Sequence, residues 1–312
     1  MGSPDYAVQS LMALQMAGHD IVLVVTQPDR PARRGRKVTA CAVKKVAEVG
    51  GLPVTSPEDV NAPGPVKHIA GMAPDVIVVV AYGQILSQEL LAVPRMGAFN
   101  LHASLLPRYR GAAPLNWALI NGETVTGVTV QAMLPKVDAG PIAGQQTVPI
   151  LPEWTAGDLS DHLAKRGAAL LVKVMNQLEL GQLNLTDQAR DQVTRAPRLT
   201  KADGIIDWSR SALEIHNRVR GVTPWPGAQT VLSGTSGGSR RVTLTRTEVV
   251  TDSGSAGKPG EIVAVGQAGV EIACGRGRLR LLAVKPAGKR EMSIADFVHG
   301  HRLAVGQTLN PS

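Results

Sequence analysis

Asn100 and His102 close one apolar run, and Asp138 lies in the turn Lys136-Val-Asp-Ala-Gly140 after a second. These are the residues of the chain best suited to chemistry. On an extended strand, positions two apart point to the same side of a sheet, so the carboxamide and the imidazole present together. In open α/β sheets reactive groups gather where strands end and loops begin. Phe99–His102 leads at once into the Pro-, Gly- and Arg-rich stretch Ser104–Pro114, and Val125–Met133 leads into the loop that holds Asp138. If the two runs are neighbouring strands, the three side chains converge. Such a trio suits acyl transfer: amide and imidazole stabilise an oxyanion, while the carboxylate moves protons and orients the ring. Taken alone, Asp138 in a D-x-G turn reads equally well as a turn residue.

The elements that must position the trio follow from hydrophobic periodicity. Asp5–Ala17 reads as a helix, Ile21–Val25 as a buried strand, Pro53–Thr55 as a short extended piece and Asp75–Ala81 as a second buried strand. Strands apolar on both faces indicate a parallel sheet covered by helices, and helical patterns over 40–50 and 65–72 complete βαβ units. The expected fold is therefore α/β: a Rossmann-like, doubly wound, mostly parallel sheet. Thr155 and Asp158 mark the start of a helix running to Leu180, with Leu159, Leu163, Leu170, Leu171, Val174 and Leu178 as its core stripe. Residues 184–200 are polar and read as a linker. Beyond 225 come short β-type runs, Gln229–Leu232, Arg241–Thr247, Glu261–Val265, Val270–Cys274 and Leu279–Ala283, separated by Gly clusters. That spacing predicts a small OB-like β-barrel. The expected division is a catalytic domain over 1–183, the linker, and a second domain over 201–312.

Charge is unevenly spread. Residues 1–194 hold 16 basic and 16 acidic side chains and residues 195–312 hold 17 and 9, so the whole net charge of +8 sits in the second part. Within the neutral part, residues 30–45 carry Arg30, Arg33, Arg34, Arg36, Lys37, Lys44 and Lys45 without an acid. A basic second domain and a basic loop favour a polyanionic partner, because each neutralised phosphate releases counterions. Cys41 and Cys274 have no spacing that suggests a disulfide framework or a zinc site. No leader and no membrane-spanning run is visible, and the expectation is a cytoplasmic, monomeric protein with no metal and no membrane association. His216 lies in an apolar-periodic stretch beside Arg218 and Arg220, where it either contacts RNA or sits on a solvated face.

The block Ser104-Leu-Leu-Pro-Arg-Tyr-Arg-Gly-Ala-Ala-Pro114, with Asn100, His102 and Asp138-x-Gly140, resembles the folate-dependent formyltransferases. Four further blocks are similar to the branch that acts on initiator methionyl-tRNA: Gly2-Ser-Pro-Asp-Tyr-Ala7, Thr26-Gln-Pro-Asp-Arg-Pro31, Leu199-Thr-Lys-x-Asp-Gly-x-Ile-Asp-Trp208 and Val219-Arg-Gly-x-x-Pro-Trp-Pro226. The resemblance covers nearly the whole chain. It implies 10-formyltetrahydrofolate as formyl donor and the α-amino group of methionine on initiator tRNA as acceptor. It maps the catalytic trio onto Asn100, His102 and Asp138. Folate contacts map onto Ser104, Leu105, Leu106 and Pro107, with Tyr82, Gly83 and Ile85 walling the pterin site. The basic loop, Arg30, Arg33, Arg34, Arg36 and Lys37, maps onto contacts with the tRNA end, Arg34 foremost, whereas Arg108 and Arg110 either cover their loop or reach the tRNA. The alternative within the superfamily is a sugar-nucleotide formyltransferase, which has no need of a basic arm.

One departure stands out. The resemblance implies a strand of about five apolar residues before Gly2, and here Met1 precedes it directly. The first strand is thus expected to be absent, with a start placed too far downstream favoured over a truncated chain. Losing a central strand leaves ladder groups of its neighbours unpaired.

Overall fold

The computed structural model describes residues 1–32, 37–233, 239–254, 257–301 and 303–311. The chain divides into two units: Met1–Pro114, Val125–Pro149 and Ser160–Pro197 form the first, and Leu115–Thr124, Ile150–Leu159 and Arg198–Ser312 the second.

In the first unit, α1 (Asp5–Met16) buries Ala7, Ser10 and Leu14, the three- and four-residue spacing of one helix face. Next come β1 (Val24–Val25), a β-hairpin of β2 (Arg30–Ala32) and β3 (Lys37–Thr39), α2 (Ala42–Val49), β4 (Val54–Thr55), α3 (Pro63–Gly71), β5 (Ile77–Val79), α4 (Gln88–Leu91) and β6 (Ala98–His102). α5 (Pro114–Ile120) belongs to the second unit except for Pro114; after it come β7 (Val125–Ala132), β8 (Ile142–Pro149) and α6 (Ala156–Glu179), which joins the first unit from Ser160 onward. The helices and strands expected here from periodicity are all present, with β1 and β5 shorter than the apolar runs that contain them.

The sheets are mixed, which corrects the expectation of a mostly parallel one. β1 pairs with β4 and β5 with β6 in parallel, but β6–β7 and β7–β8 are antiparallel. The connection from β7 to β8 is only residues 133–141, too short for the crossover that a parallel partner needs. The strand order β5-β6-β7-β8 makes the two apolar runs of the candidate trio direct neighbours.

Among the described residues no strand precedes α1. Met1 and Gly2 link β1 and β5, which belong to separate sheets. Gly2 N donates to the Val25 carbonyl at 3.0 Å, Val80 N donates to the Met1 carbonyl at 2.9 Å, and the Met1 amine donates to the Val78 carbonyl at 2.7 Å. A cavity of about 140 Å³ adjoins them, lined by Leu11, Leu14, Val24, Val43, Ile69 and Val78 among others. Burial in these apolar surroundings pushes the Met1 amine down to about 5, since the charged form is the one that loses hydration.

The polar stretch expected as a linker is tied down through residue 197, which falls in the first unit. Thr186 and Ile142 exchange backbone hydrogen bonds of 2.7 and 2.9 Å, and Ala196 N donates to the Arg110 carbonyl at 2.7 Å. Its composition is polar because its partners are backbone and amide groups rather than a core.

In the second unit, α7 (Ala212–Gly221) begins with a capping box in which Ser211 and Glu214 satisfy each other's backbone N–H groups. The strands β9 (Ala228–Ser233), β10 (Ser239–Thr251), β11 (Ile262–Gly266), β12 (Gly269–Ala273) and β13 (Arg278–Pro286) coincide with the five expected runs. β14 (Met292–Ser293), α8 (Ile294–His301) and β15 (Leu309–Pro311) complete the unit. The antiparallel order is β11-β12-β13-β10-β9-β15, and the sheet curls until its outer strands meet: Ile262 N donates to Gln307 and Leu309 N to Gly260, both at 2.8 Å. Ile215, Val219, Val222, Leu244, Ile262, Ile272, Leu279 and Phe297 share the core.

Candidate active site

Four side chains on one face of the β6–β7 pair frame the site. His102 stands opposite Thr129 and Asn100 opposite Gln131, and directly opposed residues of antiparallel strands share a face. Thr129 and Gln131 are buried polar residues two positions apart in a strand that is otherwise apolar except for Thr126 and Gly127. That was the sequence signal for their importance, and sequence reasoning missed it.

His102 is buried, and its Nε2 lies 2.9 Å from the carbonyl oxygen of Tyr109. A carbonyl only accepts, so Nε2 carries the hydrogen. Tyr109 reaches the ring because its backbone adopts φ 60, a left-handed conformation. The other ring nitrogen, Nδ1, faces Oδ1 of Asp138 at 3.7 Å. That is ion-pair range, not a hydrogen bond. The hydrogen bond that orients the ring is therefore the one to the Tyr109 carbonyl, with the carboxylate facing the other nitrogen.

Asp138 is also in the left-handed region, at φ 53. Such strain costs on the order of 1 kcal/mol and persists where surrounding contacts hold it. Here Oδ2 accepts from Gly111 N at 2.9 Å and Oδ1 from Gln131 Nε2 at 3.1 Å. The three expected residues thus fall in one place: Asn100 half-buried on the strand, His102 two positions on, and Asp138 beside the ring. A carboxylate held by two N–H donors, an imidazole beside it and the Asn100 amide on the same face are groups that can serve proton transfer and oxyanion stabilisation.

The Ser104–Pro107 loop is built from below. Thr129 Oγ1 donates to the Ser104 carbonyl at 2.7 Å and accepts from Leu106 N at 3.1 Å and Gln145 Nε2 at 2.9 Å. Gln145 Nε2 also donates to the Leu106 carbonyl at 2.8 Å, and Ser104 Oγ to that of Arg108 at 2.6 Å. Ser104, Leu106 and Pro107 are buried and Leu105 is half-buried. Leu105 packs over Gly127, where a Cβ would come within 2.5 Å of its side chain.

The loop after β5 behaves differently residue by residue. Tyr82 is 2% exposed and belongs to the core with Val60, Ile69 and Leu90, where burial pushes its phenol up to about 12. Gly83 turns the chain at φ 92, and Ile85 is 69% exposed. Gln84 pins the loop from beneath, accepting from Val60 N and donating to the Pro57 and Glu58 carbonyls.

Of the basic loop, Arg30 forms a 3.2 Å ion pair with Glu58, both largely exposed. Arg33, Arg34 and Arg36 lie outside the described residues; the backbone of Lys37 pairs with Ala32. Among the described residues no group of His, Cys, Asp or Glu could hold a metal ion, and no helix is long and apolar enough to cross a membrane.

Residues 1–175 match the family model described as formyl transferase, and residues 198–302 match formyl transferase, C-terminal domain. The methionyl-tRNA formyltransferase of Geobacter metallireducens is 45% identical over 98% of this chain and 96% of its own length. That of Moorella thermoacetica is 42% identical over 99% and 97%. Among solved structures, the N-formyltransferase from Helicobacter canadensis, in complex with folinic acid and dTDP-3-aminofucose, aligns with a TM-score of 0.65 at 17% identity. That alignment covers 90% of this chain and 96% of the other, and at such identity it is a likeness of fold.

Proposed function

This chain belongs to the formyl transferase family, and on that premise we propose that it transfers the formyl group of 10-formyltetrahydrofolate to the α-amino group of methionine on initiator tRNA. The observation that carries the chemistry is the meeting of His102 and Asp138 at 3.7 Å, with Asn100 on the same sheet face. The full-length similarity to methionyl-tRNA formyltransferases supports the choice of acceptor.

The acceptor amine must be neutral to attack. A free α-amino group titrates near 7.7–8.0 and a neighbouring ester lowers that, so a large neutral fraction exists near pH 7. The harder step is the build-up of charge on the formyl oxygen. Asn100, through its carboxamide N–H, and His102, through a protonated Nδ1, are the donors proposed to meet that charge. Attack joins the amine nitrogen to the formyl carbon and collapse breaks the bond from that carbon to the folate nitrogen; Asp138 would help carry the proton shed by the attacking nitrogen to the leaving one. The backbone of Ser104–Pro107, held by Thr129 and Gln145, would read the flat pterin, with Gly83 and Ile85 at its wall. Arg30, Arg33, Arg34, Arg36 and Lys37 would take the acceptor end of the tRNA, and the C-terminal part, read as an OB-like barrel, would add the basic surface that the +8 excess of residues 195–312 provides. The protein would act in the cytoplasm as a monomer.

The test is formyl transfer to charged initiator tRNA by wild type and Asp138→Asn. The variant should lose about 10²–10⁴ in rate, the range for a positioned acid–base group. Transfer to an amino-sugar nucleotide but not to the tRNA would replace this reading with the sugar-nucleotide one.

A further inference from the structure

Gln188, from the polar stretch after α6, makes more contacts with the Asp138 loop than any role as a tether requires. Its Oε1 accepts two bonds from Arg110, from Nε at 3.1 Å and Nη2 at 2.7 Å. Its Nε2 lies 2.6 Å from the Gly140 carbonyl, 3.0 Å from the Asp138 carbonyl and 3.2 Å from Gln131 Oε1. Gln131 in turn gives its Nε2 to Asp138 Oδ1 at 3.1 Å.

The direction of this chain is fixed by chemistry. A guanidinium is donor-only and always charged, so the Gln188 amide must turn its oxygen to Arg110 and its nitrogen to the loop. That nitrogen is donor-only too, so Gln131 must turn its oxygen to Gln188 and its nitrogen to the carboxylate. One cation therefore sets two amide orientations and delivers an N–H donor to Asp138. With either amide reversed, an oxygen would face a carboxylate or carbonyl oxygen. The same Gln188 nitrogen holds the carbonyls of Asp138 and Gly140, on either side of Ala139, and so maintains the left-handed turn that aims the carboxylate at His102.

We infer that Gln188, oriented by Arg110, is a positioning residue that holds Asp138 against His102 through Gln131 and the 138–140 backbone. Its relevance to turnover rests on the proposed role of Asp138, but the geometry does not.

The experiment uses the full chain with Gln188→Ala and Gln188→Glu; the second keeps the size and the link to Arg110 but replaces the N–H donor with an acceptor. The readout independent of activity is hydrogen exchange of the Gly111 amide, which donates to Asp138 Oδ2. It should exchange at least about tenfold faster in both variants, as in an Asp138→Ala control, with the amides of β7 unchanged. Unchanged Gly111 protection overturns the inference whatever the activity. In formyl transfer, kcat should fall about 10–100-fold, the scale of a small misplacement of a catalytic group, with KM for folate and tRNA within about twofold. Combined with Asp138→Asn, Gln188→Ala should cost less than about twofold more, because residues acting through one group are not additive. An undiminished cost in that background would show an action independent of Asp138 and sink the proposal. If Asp138→Asn alone leaves transfer intact, the functional reading fails, and the Gly111 measurement still decides this one.

Discussion

The Nε2 of His102 lies 2.9 Å from the carbonyl oxygen of Tyr109, which leaves Nδ1 as the ring atom that faces Asp138. A backbone carbonyl thus fixes the tautomer, and the carboxylate stands beside the opposite nitrogen. A ring that gives Nε2–H to Tyr109 has only Nδ1 to offer a substrate, so Nδ1 is the nitrogen that the proposed reaction would use.

Replacing His102 by its two amide mimics separates the two ring nitrogens. His102→Gln can keep a donor for the Tyr109 carbonyl and has none near Nδ1, so the rate should fall about 10²–10³-fold. His102→Asn places an amide nitrogen nearer Nδ1 and should retain more of the rate. Single-turnover transfer measures both; equal losses would remove the special role of Nδ1.

Gly111 should tolerate no side chain. It sits at φ 126, a Cβ there would run into the carbonyl of Ala196, and its N–H holds Asp138. Gly111→Ala should cost about 2 kcal/mol or more in urea unfolding and should lower kcat as well. Gly18→Ala is the control: φ is 86, but nothing lies within 4 Å of the new atom, so only the backbone penalty of about 1 kcal/mol remains.

Two arginines of the basic loop should behave differently toward tRNA. Arg30 already has Glu58 as its partner, and exposed pairs of this kind are worth under about 1 kcal/mol. Arg34→Ala should raise KM for tRNA and reduce the salt dependence of binding by about one unit of slope, leaving the folate KM unchanged. Arg30→Ala should do so less. A tRNA KM that ignores Arg34→Ala would remove the loop from the interface.

His216 should make the second unit acid-sensitive above the carboxylate range. Its Nδ1 lies 2.9 Å from Thr247 Oγ1, and burial first, then Arg220, pushes it down to about 4, against the smaller opposing effects of the Pro152 backbone and Glu248. A base depressed on folding binds its proton in the unfolded chain first. The stabilisation is therefore complete above pH 6.5 and is lost as pH falls toward about 4. The effect is on the order of 2–3 kcal/mol. His216→Gln, which can still bond Thr247, should flatten that loss in urea unfolding at pH 7 and pH 4.5. Comparing variant with wild type cancels the Met1 amine, which titrates in an overlapping range.

The sequence by itself determined which residues are candidates for the chemistry and which elements hold them. Asn100, His102 and Asp138 were legible because two apolar runs each end in polar residues, and a period of two already put the first pair on one face. The helices α1, α2, α3 and α6 and the five β-runs of the second unit were legible for the same reason, whereas α4, α5 and α8 were not read: periodicity is local, and the longer an element the more plainly its buried face is written in its own residues. The tertiary structure alone decided what depends on register and on backbone groups. The antiparallel β6–β7 pairing put Gln131 beside Asn100 and Thr129 beside His102. Tyr109 acts through its carbonyl, Gly111 through its N–H, and Gln188 through an amide that only Arg110 orients. None of these leaves a mark on hydrophobic pattern, because a hydrogen-bond partner is specified by where a group ends up in space and not by the side chain's place in a period.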